Sequence, residues 1–223
     1  MINNLNASGY EYANIIYEKE LQRILQGVYL CYTMMINDNI KLSNNENEIR
    51  DKLFFDYLNN DKIRNSIGLT EFLFIREGYE RTDGRVDIQI KTIKTFIKTE
   101  YYYNIECKRI NKIKTRQQTG LNAQYIKNGI YRFVSNYYTT YCGVNAMLGF
   151  VVEKIDINDN INNINFLLQK HYSICNTVKY LEVASFIPHF EYHYRSDHKD
   201  SDNKIITLYH LMFDFSHNIT IDN

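Results

Sequence analysis

Apolar residues recur at helical spacing in two segments of the first sixty positions. The first segment predicts an amphipathic helix from about Glu11 to Met35, whose inward face holds Leu21, Ile24, Leu25, Val28, Cys31, Tyr32 and Met35. A polar stretch, Ser43-Asn44-Asn45, can cap a second helix from about Glu46 to Asn59. Ile49, Leu53, Tyr57 and Leu58 form the inward face of that second helix.

The remaining pattern alternates between strands and helices. Residues rich in β-formers predict strands over 71–79, 85–91 and 100–110, and Thr82-Asp83-Gly84 predicts a tight hairpin between the first two. Helical spacing returns over 117–137, and a continuously apolar run over 146–154 is typical of a strand buried on both faces. A polar helix, about Asn158–Tyr172, and two strands, about Tyr180–Tyr194 and Lys204–Phe215, complete the chain. The order predicts an α/β fold with a mixed sheet.

Composition favours one globular unit. The 223 residues contain 44% hydrophobic residues, enough for a sizeable core, and no shift in composition marks a boundary, so residues 1–223 are expected to form a single domain. No basic segment followed by an apolar stretch begins the chain, and the apolar run near Tyr29–Ile36 is too short to span a bilayer. We therefore expect a cytoplasmic protein without a membrane partner.

The four cysteines exclude two classes of site. Cys31, Cys107, Cys142 and Cys175 show no C-x-x-C spacing, which argues against zinc ribbons and against a disulfide framework. Four reduced and mostly buried thiols are expected.

Charge is distributed unevenly along the chain. The formal net charge is zero, yet positions 85–132 contain eleven basic residues and three acidic ones, a local net charge of +8. Such a block attracts a phosphate backbone. The alternative is a lysine-rich face that is merely solvated.

Three polar residues interrupt two strands that should be buried. Because side chains alternate along a strand, Glu106 and Lys108 project from one face while Ile105 and Cys107 project from the other. Asp87 lies between apolar neighbours in the preceding strand, and pairing of the two strands through a hairpin can bring it beside Glu106. Two adjacent carboxylates suit a hard divalent cation, Mg²⁺ with Mn²⁺ as the alternative, and Lys108 can orient water or stabilise developing charge. A surface salt-bridge cluster is the structural alternative.

These residues resemble a known family. Asp87, eighteen intervening residues and then Glu106-Cys107-Lys108, within the order α-β-β-β-α-β, resemble the PD-(D/E)xK superfamily of restriction-endonuclease-like nucleases. The resemblance covers about 45–154 and leaves the N-terminal helix and the C-terminal strands outside it. Val86 stands where the proline of the family's name would be.

The resemblance implies a metal site and supporting residues. It implies that Asp87, Glu106 and the main-chain carbonyl of Cys107 bind the metal, together with a helix carboxylate. Glu46 is preferred to Glu48 for that role, because it shares the inward face of Ile49 and Leu53. Gln124, with Lys127 nearby, falls where relatives place a glutamine or a basic residue. An ordinary polar position on the helix is the alternative for Gln124.

Three functions are compatible with this sequence. The first is a Mg²⁺-dependent DNA endonuclease of a bacterial defence or restriction-type system, working as a homodimer or with a partner protein. The second is an RNA-directed or structure-specific nuclease that uses the same site. Between the two nucleic acids, DNA is expected as the partner in preference to RNA. The third is a non-catalytic nucleic-acid-binding or scaffolding module. A separate metal site at His189, Glu191 and His193 would need these side chains on one strand face, which an exposed polar strand also explains. His198 and His210 have no identifiable partner in the sequence.

Overall fold

A long helix precedes the sheet. The structure, a computed structural model, describes residues 11–80 and 84–220, with side chains of the first helix described from residue 15 onward. Helix α1, Glu11–Asn37, buries the predicted inward face, including Leu21, Leu25 and Val28. The first predicted helix is confirmed.

The second predicted helix is also confirmed, with a wider final turn. Helix α2, Glu46–Leu53, begins at Asn45, whose side chain accepts hydrogen bonds from the main-chain N–H groups of the next turn. A π-helical turn, Phe54–Leu58, continues it, and the short helix α3 spans Asp61–Ser66.

One mixed sheet of seven strands forms the centre of the described chain. Its strands are β1 Leu73–Tyr79, β2 Arg85–Lys91, β3 Tyr102–Ile110, β4 Val144–Val151, β5 Thr177–Val183, β6 His193–Lys199 and β7 Ile205–Asp214. Their spatial order is β1-β2-β3-β4-β7-β6-β5. The β3–β4 and β4–β7 pairs are parallel and the other pairs are antiparallel, so the predicted mixed sheet is confirmed.

Helices cover both faces of this sheet. Helix α4, Leu121–Tyr125, continues through a π-helical turn, Ile126–Ile130, into α5, Tyr131–Val134, and α6 spans Ile157–His171. One hydrophobic cluster joins α1 and α2 to the sheet, and another joins α4, α5 and α6 to it. Strand β4 is buried along its whole length because both of its faces are covered, as its continuously apolar sequence predicted.

The C-terminal strands differ from the prediction. A single strand over Tyr180–Tyr194 was wrong, because β5 ends at Val183 and β6 begins at His193. Between them Pro188 lacks a main-chain N–H, and His189 adopts a left-handed backbone with φ of 62°. Both features prevent a continuous strand.

Two further expectations concern local features. Thr82 and Asp83 of the predicted tight turn lie outside the described residues. The four cysteines are all free and buried, as predicted. Within the ranges 11–80 and 84–220, no helix combines the length and the apolar character needed to cross a membrane.

Candidate functional site

The site lies where β2 separates from β3. The two strands pair from Lys91↔Tyr102 to Ile88↔Ile105, and the register of the described chain extends no further toward Asp87. On the other side of β2, the pairing with β1 skips Glu77 and Asp87, and Glu77 has a left-handed φ of 50°. The sheet is therefore irregular on both sides of Asp87.

Carboxylates replace the missing strand as hydrogen-bond acceptors. The main-chain N–H of Cys107 donates to Asp87 Oδ2 at 2.8 Å, and that of Arg109 donates to Glu46 Oε2 at 2.8 Å. N–H groups of alternate residues point to the same side of a strand, so continued pairing with β2 would have occupied both donors. Because the strands separate here, the two free N–H groups of β3 hold one acidic side chain from β2 and one from α2.

The ammonium group of Lys108 lies at the centre of the site. Its Nζ is 2.8 Å from Glu106 Oε1, 3.1 Å from Glu46 Oε1 and 3.8 Å from Asp87 Oδ2. It also donates to the main-chain carbonyl oxygen of Cys107 at 2.6 Å. Oxygens from four groups therefore surround one cation, and they are the four groups that the family resemblance assigns to a metal.

Two arginines balance the remaining charge. Arg50 of α2 is buried, and its Nη1 donates to Asp87 Oδ1 at 2.6 Å. Arg132 of α5 donates to Glu106 Oε1 at 3.0 Å, while the hydroxyl of Tyr138 donates to Glu106 Oε2 at 2.9 Å. Three carboxylates face three cations, so the cluster is formally neutral and each carboxylate oxygen has a partner.

Burial and neighbouring charges shift the pKa values of Glu106 and Lys108. Loss of water and the nearby carboxylate of Asp87 raise the pKa of Glu106 to about 7, although Lys108 and Arg132 oppose the shift. For Lys108 burial acts to lower the pKa, but the surrounding carboxylates outweigh it and raise the pKa above its ordinary value. Lys108 is consequently a cation at neutral pH, suited to donating hydrogen bonds rather than to accepting a proton.

A divalent cation and the ammonium cannot share the same position. Among the residues that the structure describes, no group of three or more His, Cys, Asp or Glu side chains is arranged to hold a metal ion. The donor set is nevertheless the oxygen-rich kind that Mg²⁺ takes, since Glu46, Asp87, Glu106 and the Cys107 carbonyl already converge on a positive charge. A divalent cation would have to displace Lys108 to reach these oxygens.

The structure distinguishes between the helix residues that were candidates for the site. Glu46 reaches the site, whereas Glu48 accepts hydrogen bonds from the main-chain N–H and the hydroxyl of Ser43 at the start of α2. Gln124 is exposed, and no described residue hydrogen-bonds its side chain. Lys127 is exposed as well. The helix that follows β3 instead reaches the site through Arg132.

Sequence reasoning missed Arg50, Arg132 and Tyr138 as members of the site. Arg50 adjoins Ile49 on the inward side of α2, and a buried arginine needs a carboxylate partner, so its position beside an apolar face was the available signal. Arg132 was counted only as one of the eleven basic residues. Tyr138 gave no signal among 20 tyrosines.

The rival histidine site is not formed. His189 and Glu191 are exposed in the loop before β6, whereas His193 is buried in β6 and lies against the rings of Phe186 and Phe190. The three side chains do not share a strand face, because β6 begins only at His193, so the predicted placement of all three on one strand was wrong.

His198 and His210 both have hydrogen-bond partners, which the sequence did not reveal. The Cys175 carbonyl only accepts, so Nδ1 of His198 donates to it at 3.0 Å, and Nε2 of His198 then accepts from Ser196 Oγ at 2.8 Å. Ser196 Oγ in turn accepts from Nε2 of His210, whose Nδ1 accepts from the Tyr125 hydroxyl, both at 2.8 Å. Burial lowers the pKa of His198 to about 4 and that of His210 to about 3, which agrees with two neutral rings.

Comparisons with known proteins identified no relative of this chain. No family model, no curated protein and no solved structure matches the chain.

Proposed function

We propose that this protein is a metal-dependent nuclease that hydrolyses phosphodiester bonds, with DNA as the preferred substrate. One observation carries the proposal: carboxylates from α2, β2 and β3 and a β3 carbonyl converge on one cation at a break in the sheet. A salt-bridge cluster on an exposed surface would not need a buried Glu106 or a break in strand pairing.

The element order supports a restriction-endonuclease-like core. From α2 to β4 the chain follows α-β-β-β-α-β if the short helix α3 is counted with α2, and β1, β2, β3 and β4 are neighbours in that spatial order. Helix α1 and strands β5–β7 are additions to this core. A cytoplasmic location, a bacterial defence setting and a homodimeric or partner-bound state remain predictions.

The proposed metal ligands are Asp87, Glu106, Glu46 and the main-chain carbonyl of Cys107. A bound Mg²⁺ or Mn²⁺ would lower the pKa of a coordinated water and neutralise charge on the phosphate. Arg50 holds Asp87 through Oδ1, and Tyr138 holds Glu106 through Oε2, so both carboxylates are oriented before a metal arrives.

Lys108 is the proposed electrostatic catalyst. The surrounding carboxylates raise the pKa of Lys108 where it lies in this structure, and its flexible side chain would let the ammonium move to a phosphate oxygen, whose negative charge also favours the protonated form. There it would donate a hydrogen bond to the negative charge that develops in the transition state. Arg132, which is partly exposed and bonds Glu106 Oε1, is a second donor that would bind the phosphate.

Cleavage assays test this proposal. The purified protein is incubated with Mg²⁺ or with EDTA and single- or double-stranded DNA or RNA, and we expect metal-dependent cleavage, fastest on DNA. Asp87→Asn and Lys108→Met should each lower the rate by about a hundredfold or more. Glu77→Gln is the matched control, because Glu77 also pairs with Arg50 but does not contact Lys108. Folded wild-type protein without metal-dependent cleavage, or either site variant cutting at the wild-type rate, would contradict the assignment.

A second pair of variants tests the helix carboxylate. Glu46→Gln and Glu48→Gln remove the same charge from the same turn of α2, but only Glu46 contacts Lys108. We expect Glu46→Gln to weaken activation by Mg²⁺ and Glu48→Gln to leave it near wild type. If both variants weakened activation by Mg²⁺ equally, Glu46 would not be a member of the site.

A non-catalytic nucleic-acid-binding module is the second candidate. It is favoured by the closed ion-pair network, in which all six oxygens of Glu46, Asp87 and Glu106 are already bound to protein groups. Such a module would bind nucleic acid and fail to cut it with any divalent cation, which the same assays reveal.

A further inference from the structure

An exposed basic loop follows the strand that carries Glu106 and Lys108. Residues 111–120 connect β3 to α4 and contain Lys112, Lys114 and Arg116 without an acidic residue. All three basic side chains are exposed. The loop is held close to its helix, since a Cβ on Gly120 would lie 2.6 Å from the carbonyl oxygen of Lys114.

Arg116 is fixed against helix α6. Its guanidinium carbon lies 5.2 Å from the centre of the Phe166 ring, and its Nε donates to Asn163 Oδ1 at 2.6 Å. In the described chain no hydrogen bond occupies its two terminal nitrogens. The guanidinium is therefore oriented in advance and has free donors for an anion.

A groove of about 420 Å³ opens beside this arginine. Its walls are Arg116, Asn162, Asn165, Phe166, Gln169 and Tyr180. The Asn165 side chain bonds both the N–H and the carbonyl of Leu181 at 2.9 Å, which ties β5 to α6 and fixes Tyr180 across from Phe166. Tyr180 is 39% exposed, and the amides of Asn162 and Gln169 are exposed too.

We propose that this groove binds single-stranded nucleic acid. Arg116 would take a backbone phosphate, and the rings of Phe166 and Tyr180 would stack with bases, as aromatic residues in basic grooves do for unpaired strands. The amides of Asn162 and Gln169 can hydrogen-bond base edges. A base must leave a duplex to reach these rings, so the ligand is an unpaired strand. The positive loop and the anionic backbone are complementary in charge.

This inference deepens the proposed nuclease function by naming an unpaired strand as part of the substrate. Its binding test does not require cleavage, so the two proposals can fail separately. Binding that depends on the groove, without metal-dependent cleavage, would support the groove proposal and contradict the nuclease proposal. Metal-dependent cleavage, with unaltered binding in the groove variants, would support the nuclease proposal and contradict the groove proposal.

Binding is measured by fluorescence anisotropy in EDTA, with a fluorescein-labelled oligothymidylate of about 16 nucleotides. Arg116→Ser and Tyr180→Ser should each weaken binding by about fivefold or more, because one stacked base or one phosphate contact contributes roughly that much. Tyr180→Phe keeps the ring and should bind within about twofold of wild type. Circular dichroism confirms that each variant is folded.

Two controls remove the same chemical groups elsewhere. Arg23→Ser removes an exposed charge from α1, which packs on the opposite face of the sheet from α6. Phe96→Ser removes a ring that is 92% exposed in the turn between β2 and β3. Both controls should bind like wild type. The proposed groove would be contradicted if the wild-type protein did not bind the oligonucleotide, or if Arg116→Ser and Tyr180→Ser bound it with wild-type affinity. It would also be contradicted if the controls lost as much affinity, or if the variants lost as much affinity for a duplex of the same length.

Discussion

At the scale of single residues, Arg50 and Asp87 show how the candidate site is held. Arg50 is only 3% exposed, and it bonds one oxygen of Asp87 while Cys107 N–H bonds the other. A guanidinium buried to this extent loses most of its water, and the carboxylate compensates for that loss. The attraction within the pair therefore mainly offsets the cost of desolvation, so its net contribution to stability is smaller than the attraction alone.

We predict that Asp87→Ala lowers the free energy of unfolding by about 3–5 kcal/mol, because it leaves Arg50 buried without its strongest partner. The double variant Arg50→Met, Asp87→Ala should lose less than the sum of the two single variants, with a coupling of at least about 1 kcal/mol. Urea denaturation of the four proteins measures this coupling. Additive losses would show that Asp51 and Glu77 are sufficient partners for Arg50.

The buried histidines predict a pH dependence of stability. In the unfolded chain each histidine takes up a proton near its ordinary pKa of 6.5, whereas the folded pKa values are about 4 for His198 and about 3 for His210. Between these values the unfolded state binds more protons, so stability is complete above about pH 6.5 and falls as the pH falls. The loss should be on the order of 2 kcal/mol per histidine between pH 6.5 and pH 5.

The test compares wild type with His210→Gln. Urea denaturation from pH 7 to pH 5 should show a shallower decline for the variant, even where its stability at pH 7 is lower. An identical slope in the two proteins would show that His210 does not titrate on unfolding.

At the scale of elements, the connection from β3 to α4 depends on Gly120. A Cβ at this position would lie 2.6 Å from the carbonyl oxygen of Lys114 and 3.0 Å from that of Ile113, and main-chain atoms of a held loop cannot yield easily. We predict that Gly120→Ala costs about 1–3 kcal/mol and moves the loop away from α4. Thr119→Ala, at an exposed neighbouring position, should be nearly neutral. Thermal unfolding of both variants checks the difference, and equal midpoints would mean that the loop adapts.

Element order was predictable because it depends on local periodicity. Helical spacing gave α1, α2 and the segment of α4 and α5, and period-two alternation placed Glu106 and Lys108 on one strand face, where the structure has them in contact. For Arg50 the sequence offered only its position beside an apolar helix face, and for Arg132 it offered nothing specific, since the approach of both to the carboxylates depends on how helices pack on the sheet. The strand expected over Tyr180–Tyr194 failed because Pro188 and the left-handed His189 outweigh a favourable composition.

At the scale of the whole molecule, the local charge of +8 overstates what a ligand can meet. Lys108 and Arg132 are bound within the candidate site, and Lys94 forms an ion pair with Glu20 at 3.0 Å. Arg85 pairs with Glu77 at 3.4 Å. By contrast, Lys112 and Lys114 are exposed, and no described residue forms an ion pair with either side chain. Folding therefore leaves three exposed cations of this block, Lys112, Lys114 and Arg116, together on the loop over 111–120.

Salt dependence of binding distinguishes these lysines. A cation that contacts a phosphate releases a counterion, so each one adds roughly 0.7–0.9 to the slope of log K against log salt. We predict that Lys112→Ser or Lys114→Ser lowers the slope for oligothymidylate by about 0.7, since each lysine is free to meet the backbone. Lys94→Ser removes the same charge from the pair with Glu20 and should leave the slope unchanged. Anisotropy titrations over a series of salt concentrations measure all three slopes. All three variants remove one positive charge, so their slopes should differ only if the nucleic acid contacts the loop lysines directly. If Lys94→Ser alters the slope as much as the loop variants do, binding responds to net charge and not to the loop.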